Sequence, residues 1–233
     1  VVIITLDVET KGLNAQEFIL GCVLNERKKE KWFYKPDDMW NHIVERGQKL
    51  KKHKKKLHVY AHNHQFDFYS YAQNNLLNEK LKFISFRPFI AIYDENIYFL
   101  DTMAFYPMSL ERVGEIVGLK KLETPKELTE GSDNINVSKL KQYCLRDTQI
   151  VMESIINIKG TLSEMGYRPR NLISAGQIAI SSFQTYSQKN NNIWKIADLI
   201  QNGKRKELRV RNTRYNKEIR KAYRGGRVQA LKT

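Results

Sequence analysis

Apolar and polar positions alternate along most of the chain with short periods, and the pattern predicts strands early and a long helix late. Val1 to Leu6 is a β-branched run that suits a central strand. Glu17 to Leu24 and Lys31 to Tyr34 read as the next strands of a meander. Pro36 to Leu50 has helical spacing in Trp40, Ile43, Val44 and Leu50. "LHVYAHN" (57–63) is strand-like, and "QFDFYSYAQNNLL" (65–77) is helix-like. Ile90 to Tyr93 and Ile97 to Leu100 flank "DEN" as a hairpin. Leu110 to Val117 predicts a helix that stops at Gly118. The clearest helix is "SKLKQYCLRDTQIVMESIINIKG" (138–160), with Ser138 as N-cap, an inward face of Leu140, Tyr143, Val151 and Ile155, and an end at Gly160. Strand-rich and helix-rich segments alternate, which predicts an α/β fold with a mixed sheet.

The 233 residues are 41% apolar, enough for one sizeable core. A net charge of +15 changes the picture, because so large a surplus favours polyanions, nucleic acid ahead of anionic membrane. No apolar run approaches the ~20 residues of a spanning helix, so no membrane partner is expected. Cys22 and Cys144 have no metal or disulfide spacing and fit a reduced, cytoplasmic setting. The chain opens with Val rather than Met, as a fragment or processed product would. "KLKKHKKK" (49–56), with six lysines in eight residues, must be solvated.

The chemistry begins in "TLDVETKGLN" (5–14), where Asp7 and Glu9 lie two apart on a strand and so share a face. Two carboxylates that close repel each other, and a divalent cation with oxygen ligands, Mg²⁺ or Mn²⁺, resolves the conflict. A solvated pair at a sheet edge is the bland alternative. Two further acids decide between them. "AHNHQFDF" (61–68) puts Asp67 just after a strand, four residues beyond Asn63, a residue suited to cap the following helix. In "YCLRD" (143–147), Tyr143 and Asp147 share a helix face with Leu140 and Val151.

In this order, D-x-E, N-x-x-x-F-D and Y-x-x-x-D resemble the exonuclease motifs of the DEDD superfamily, in its tyrosine-bearing branch. The histidine-bearing branch would have His at position 142, which is Gln here. "MSLERV" (108–113) is similar to the (S/T)-L-x-x-h element of family B DNA polymerases, and "EIRKAYRGGR" (218–227) carries Tyr223-Arg224-Gly225-Gly226, like the Y-x-G-G element that joins their exonuclease and polymerase domains. "SAGQIAISSF" (174–183) and "NKEIRKAYRGG" (216–226) look most like the protein-primed branch of phages and linear plasmids.

The resemblance implies an RNase H-like exonuclease fold, a mixed central sheet flanked by helices, acting as a two-metal phosphodiesterase that trims 3′ ends and proofreads. By its pattern Asp7 bridges two Mg²⁺ or Mn²⁺ ions, Glu9 and Asp147 complete one site, Asp67 orders the second through water, and Tyr143 orients the attacking water. It assigns Thr10, Asn63, Phe66, Ser109 and Leu110 to holding the 3′ end. Taken alone, Phe66 reads as often as core as a stacking platform, and Leu110 reads as core. A lysine near the site is expected, with Lys126 of "TPKEL" the better fit and Lys121 the rival.

"DTMAFYP" (101–107) resembles the aspartate-bearing element of family B palms, but it lies between the second and third exonuclease elements, where Asp101 more simply ends a strand. The chain as given is therefore not expected to polymerise. Three parts are expected: an exonuclease core over 1–160, a helical basic part over 161–221, and a linker over 222–233. From Lys204 to Arg227 eleven basic residues face Glu207 and Glu218, a net +9 leading into Tyr223, Arg224, Gly225 and Gly226, where glycine backbones approach a phosphate and arginines neutralise the strand. The expected partners are single-stranded 3′ ends and primer-template DNA. A terminal protein and a viral or linear-plasmid replicon follow from the resemblance alone. Two alternatives stand beside this reading: a free-standing nuclease trimming DNA or RNA ends, and a non-catalytic module that only holds single strands.

Overall fold

The computed structural model describes residues 1–11, 17–125, 136–169 and 171–189. The chain divides into Val1–Ser182 and Phe183–Thr233, and the sheet and the site described below belong to the first unit. Strands β1 (Val2–Lys11), β2 (Glu17–Asn25), β3 (Glu30–Phe33), β4 (Leu57–Ala61), β5 (Leu81–Phe86), β6 (Phe89–Tyr93) and β7 (Ile97–Asp101) form one mixed sheet in the order β3-β2-β1-β4-β7-β6-β5. Helices α1 (Pro36–Lys51), α2 (His64–Tyr71), α3 (Leu110–Ile116), α4 (Val137–Glu164) and α5 (Ala175–Lys189) accompany it. The expected α/β class with a mixed sheet is what the chain adopts. Among the described residues no helix is long and apolar enough to cross a membrane.

The alternation in β1 separates two layers. Ile4, Leu6 and Val8 enter a core with Trp40 and Ile43 of α1, Phe68 of α2 and Phe99 of β7. Ile3, on the other face, packs with Tyr60, Val151, Met152 and Ile155, and Leu20 and Cys22 of β2 pack against Leu140 and Cys144 of α4. Each fully buried aliphatic or aromatic side chain adds about 1.5–3 kcal/mol, so burial on both faces fixes the register of β1.

Only the centre of the sheet is parallel: β1 runs with β4 from Val2 opposite Leu57 to Thr5 opposite Tyr60, and β4 runs with β7 up to Ala61 opposite Asp101. Beyond Thr5, β1 outruns β4 and continues against β2 alone, Asp7 opposite Cys22 and Glu9 opposite Leu20. The carboxyl ends of β1, β4 and β7 thus form an open corner, the place where ligands bind in sheets of this kind.

Several boundaries differ from the sequence reading. α4 begins after Asn136, whose side chain accepts from Lys139 N at 3.1 Å, so Asn136 and not Ser138 is the cap. It passes through Gly160 to Glu164, because Ile155, Ile158 and Leu162 keep the apolar stripe going. The division expected at 160/161 therefore falls inside a helix. α2 ends at Tyr71, short of the expected run to Leu77, and a 3-10 turn over Gln73–Asn75 follows. β5 was not anticipated. The β6–β7 hairpin and the stop of α3 at Gly118 (φ +73°) are as expected, with Asp94 and Glu95 at positive φ in the hairpin turn.

Candidate active site

Asp7 and Glu9 share the face of β1 that looks onto α4, where Thr5 Oγ1 donates to Thr148 O at 3.1 Å. A register shift follows Glu9: Glu9 pairs with Leu20 but Thr10 with Phe18, so Ile19 of β2 is bulged opposite this step. On α4, Leu140, Tyr143, Cys144, Asp147, Thr148 and Val151 follow helical spacing on the buried side, which brings Tyr143 and Asp147 down onto the two acids. Asp67 arrives from α2. Its Oδ1 accepts from Val8 N at 3.0 Å, satisfying a backbone donor that β1 exposes once β4 has ended.

These groups line an open cleft of about 220 Å³, together with Asn63, Phe66 and Leu110. Glu9 is 7% exposed, and Asp67 and Asp147 are 4% exposed each. Glu9 Oε1 and Asp147 Oδ1 are buried without a hydrogen-bond partner. Burial raises the Asp7 carboxyl to about 7, helped by the charge of Asp147 and opposed by Lys121. Burial followed by the Asp7 charge pushes Glu9 and Asp67 well above the usual carboxylate range. Asp147 is also raised, because burial outweighs the attraction of Lys121. A cluster this hostile to its own ionisation lacks positive charge. An all-carboxylate oxygen set with two unpartnered buried oxygens fits hard divalent cations such as Mg²⁺ or Mn²⁺.

One cation is built in. Lys121 Nζ pairs with Asp147 Oδ2 and lies 4.6 Å from the centroid of the Tyr143 ring. Burial pulls its ammonium down, but Asp147 and Tyr143 more than offset this and leave it above the ordinary lysine value. The segment holding Lys121 is tied to α4, since Arg146 Nη1 donates to Lys120 O at 2.7 Å and Thr124 Oγ1 meets the Tyr143 hydroxyl at 3.2 Å. Burial also raises the Tyr143 phenol above its ordinary value.

Of the expected site residues, Asp7, Glu9, Asn63, Phe66, Asp67, Leu110, Tyr143 and Asp147 meet in the cleft. Phe66 is 41% exposed, which removes its reading as core, whereas Leu110 is half-buried. Asn63 holds the N-cap position of α2 with φ 58° but makes no capping side-chain bond; its N–H donates to Asp101 Oδ1 at 3.0 Å. Asp101 ends β7 and also accepts from Met103 N, the plain structural role expected of it. Thr10 follows Glu9 without lining the cleft, and Ser109 lines a neighbouring depression that shares Leu110 and Lys121. Lys126, Tyr223, Arg224, Gly225, Gly226 and the basic tail lie outside the described residues. Lys121, the rival lysine, is the one found in the cleft.

The sequence reading missed His62 and Cys144. His62 Nδ1 meets Thr102 Oγ1 at 2.9 Å and Nε2 meets Met108 O at 2.8 Å, joining β4 to the turn that carries Ser109 and Leu110. Its position beside Asn63 was the available signal.

No protein-family model matches the chain, and no curated protein matches it. Solved structures do. Phi29 DNA polymerase complexed with single-stranded DNA matches with a TM-score of 0.57 at 13% identity, over 82% of this chain and 36% of that one. Phi29 DNA polymerase complexed with primer-template DNA matches with a TM-score of 0.55 at 12% identity, over 79% of this chain and 35% of that one. The fold is similar to that of part of phi29 DNA polymerase. The chain spans about a third of the length of these structures.

Proposed function

We propose that the chain is a metal-dependent 3′→5′ exonuclease module that removes nucleotides from single-stranded DNA ends, the proofreading part of a protein-primed polymerase of the family B type. The observation that carries this reading is the meeting of Asp7, Glu9, Asp67 and Asp147 in one cleft, with two buried oxygens unpartnered and Tyr143 alongside. The fold shared with part of a DNA polymerase supports it.

Asp7, Glu9, Asp67 and Asp147 would hold the two cations. When bound, these supply hydroxide at neutral pH and neutralise charge on the leaving 3′ oxygen. Tyr143, its phenol raised by burial, stays protonated near neutrality and acts as a hydrogen-bond donor that orients water, not as a base. Asp67 keeps one oxygen on Val8 N, which fixes the other. Lys121 fixes Asp147 in the same manner.

The exposed Phe66 ring offers a stacking platform for a terminal base, worth about 1–3 kcal/mol, with Asn63 and Leu110 beside it. Thr10 and Ser109 extend the strand-holding rim. Lys126 and the basic segment through Tyr223, Arg224, Gly225 and Gly226 are proposed to hold single-stranded or primer-template DNA by phosphate contacts, with a steep salt dependence. A terminal-protein partner and a viral or plasmid replicon belong to the same reading and rest on the sequence resemblance. Asp7→Ala and Asp147→Ala should each nearly abolish cleavage of a labelled strand while leaving its binding intact; metal-dependent cleavage persisting in both variants would sink the assignment.

A further inference from the structure

Cys144 sits in a place the proposed chemistry does not use. It lies between Tyr143 and Asp147 on α4, fully buried, and its Sγ donates to Asp7 O at 3.5 Å. One oxygen of Asp7, one of Glu9 and the Cys144 sulfur all lie within 4.8 Å of one another. Glu9 Oε1, on a residue 93% buried, has no partner there. Asp7 and Glu9 line the cleft, and the Cys144 thiol lies buried directly beneath them, so the floor of the cleft offers a mixed donor set of two carboxylates and a thiol. Hard cations use oxygens and ignore sulfur, whereas thiolate, carboxylate and water together suit tetrahedral zinc-like ions.

We propose that Asp7, Glu9 and Cys144 form a site for a thiophilic divalent cation, Zn²⁺ or Cd²⁺. Binding forms a metal–sulfur bond and releases the Cys144 thiol proton to solvent. Because Asp7 and Glu9 are shared, such an ion excludes the hard cation assigned to the same carboxylates, so the cleft carries an inhibitory metal mode alongside its working one. The inference rests on the cation-binding reading of these acids and adds the sulfur.

The test is a Cd²⁺ titration of the chain after removal of metals, following the ultraviolet thiolate-to-cadmium charge-transfer band, with Mn²⁺ binding read in parallel by electron paramagnetic resonance. Cys22 is the only other cysteine and packs in the same buried cluster as Cys144, so Cys22→Ser leaves Cys144 as the sole thiol, and its melt in chelator checks that the cluster is intact. The band should appear in wild type and in Cys22→Ser and be lost in Cys144→Ser. Cd²⁺ should displace bound Mn²⁺, and Cys144→Ser should weaken Cd²⁺ at least about tenfold while leaving Mn²⁺ affinity nearly unchanged. Thermal melts in chelator verify folding of each variant, and the wild-type and Cys22→Ser spectra decide the matter even if Cys144→Ser fails to fold. Mn²⁺ binding without any sulfur band would overturn this proposal and spare the cation reading. Failure of every divalent ion to bind would overturn both.

Discussion

The substitution Asp7→Asn should stabilise the metal-free protein. In the fold the Asp7 carboxyl is raised from the ordinary 3.8 to about 7 by burial and by Asp147. The folded state thus opposes ionisation, and the penalty is complete above pH 7 and absent below 3.8. At 1.36 kcal/mol per decade of acidity, an ionised Asp7 costs the fold about 4 kcal/mol at pH 8. Asparagine removes the charge but weakens the polar contacts with Cys144 and Glu9, at a loss of about 1–2 kcal/mol. The net gain is about 2 kcal/mol, or roughly 4–8 °C in melting temperature for a protein of this size. Thermal melts of both proteins in chelator at pH 8 and pH 5 measure it. The gain should shrink toward zero at pH 5. Adding Mg²⁺ at pH 8 should reverse the order, raising wild type and leaving the variant where it was. An Asp7→Asn protein that melts at or below wild type at pH 8 in chelator would refute the reasoning, since the carboxylate would then not be a burden the cation relieves.

Lys121→Met removes the partner of a nearly buried carboxylate and should cost about 2 kcal/mol in denaturant titrations at pH 8, with much of the loss recovered when Mn²⁺ is added. Gly114→Ala would place a Cβ 2.6 Å from Leu119 O and 3.4 Å from Lys121 N, so it should destabilise by about 1–3 kcal/mol and, by displacing the Lys121 segment, weaken Mn²⁺ binding as well. Phe66→Ala should lower affinity for single-stranded DNA by about 1–3 kcal/mol while hardly moving the melting temperature, because its ring is exposed. His58 is buried and lowered to about 3, so below pH 6.5 the unfolded chain takes a proton the fold refuses, and stability falls by about 1.4 kcal/mol per pH unit down to pH 3. His58→Phe should remove that slope; parallel pH profiles for variant and wild type would contradict it.

The motifs at the carboxyl ends of the central strands were legible because the chemistry forces residue types into fixed local spacings. Asp7 and Glu9 needed only the period of a strand, and Tyr143 and Asp147 only the period of a helix. What the sequence could not show was set by long-range packing. β5 is a strand through its pairing with β6, not through its own pattern, since apolar Ile84 and Phe86 are exposed while polar Ser85 is half-buried. Gly160 punctuates a helix in isolation, yet the apolar stripe on either side of it overrides the signal. Lys121 was placed behind Lys126 because a loop residue has no periodicity to locate it, and only the contacts of 119–124 with α4 bring it to Asp147. Cys144 entered the sequence reading only through its lack of metal or disulfide spacing with Cys22, and its approach to Asp7 depends on how α4 sits against β1.

The central claim is removal of nucleotides from a 3′ end by this carboxylate cleft. Its most direct test is incubation of a 5′-labelled single strand with Mg²⁺ or Mn²⁺, beside the Asp7→Ala/Glu9→Ala variant and a strand blocked at its 3′ end. The account predicts a ladder that shortens from the 3′ terminus, absent with the variant, with the blocked strand and in chelator. Internal cuts, or a ladder that survives loss of both acids, would contradict it.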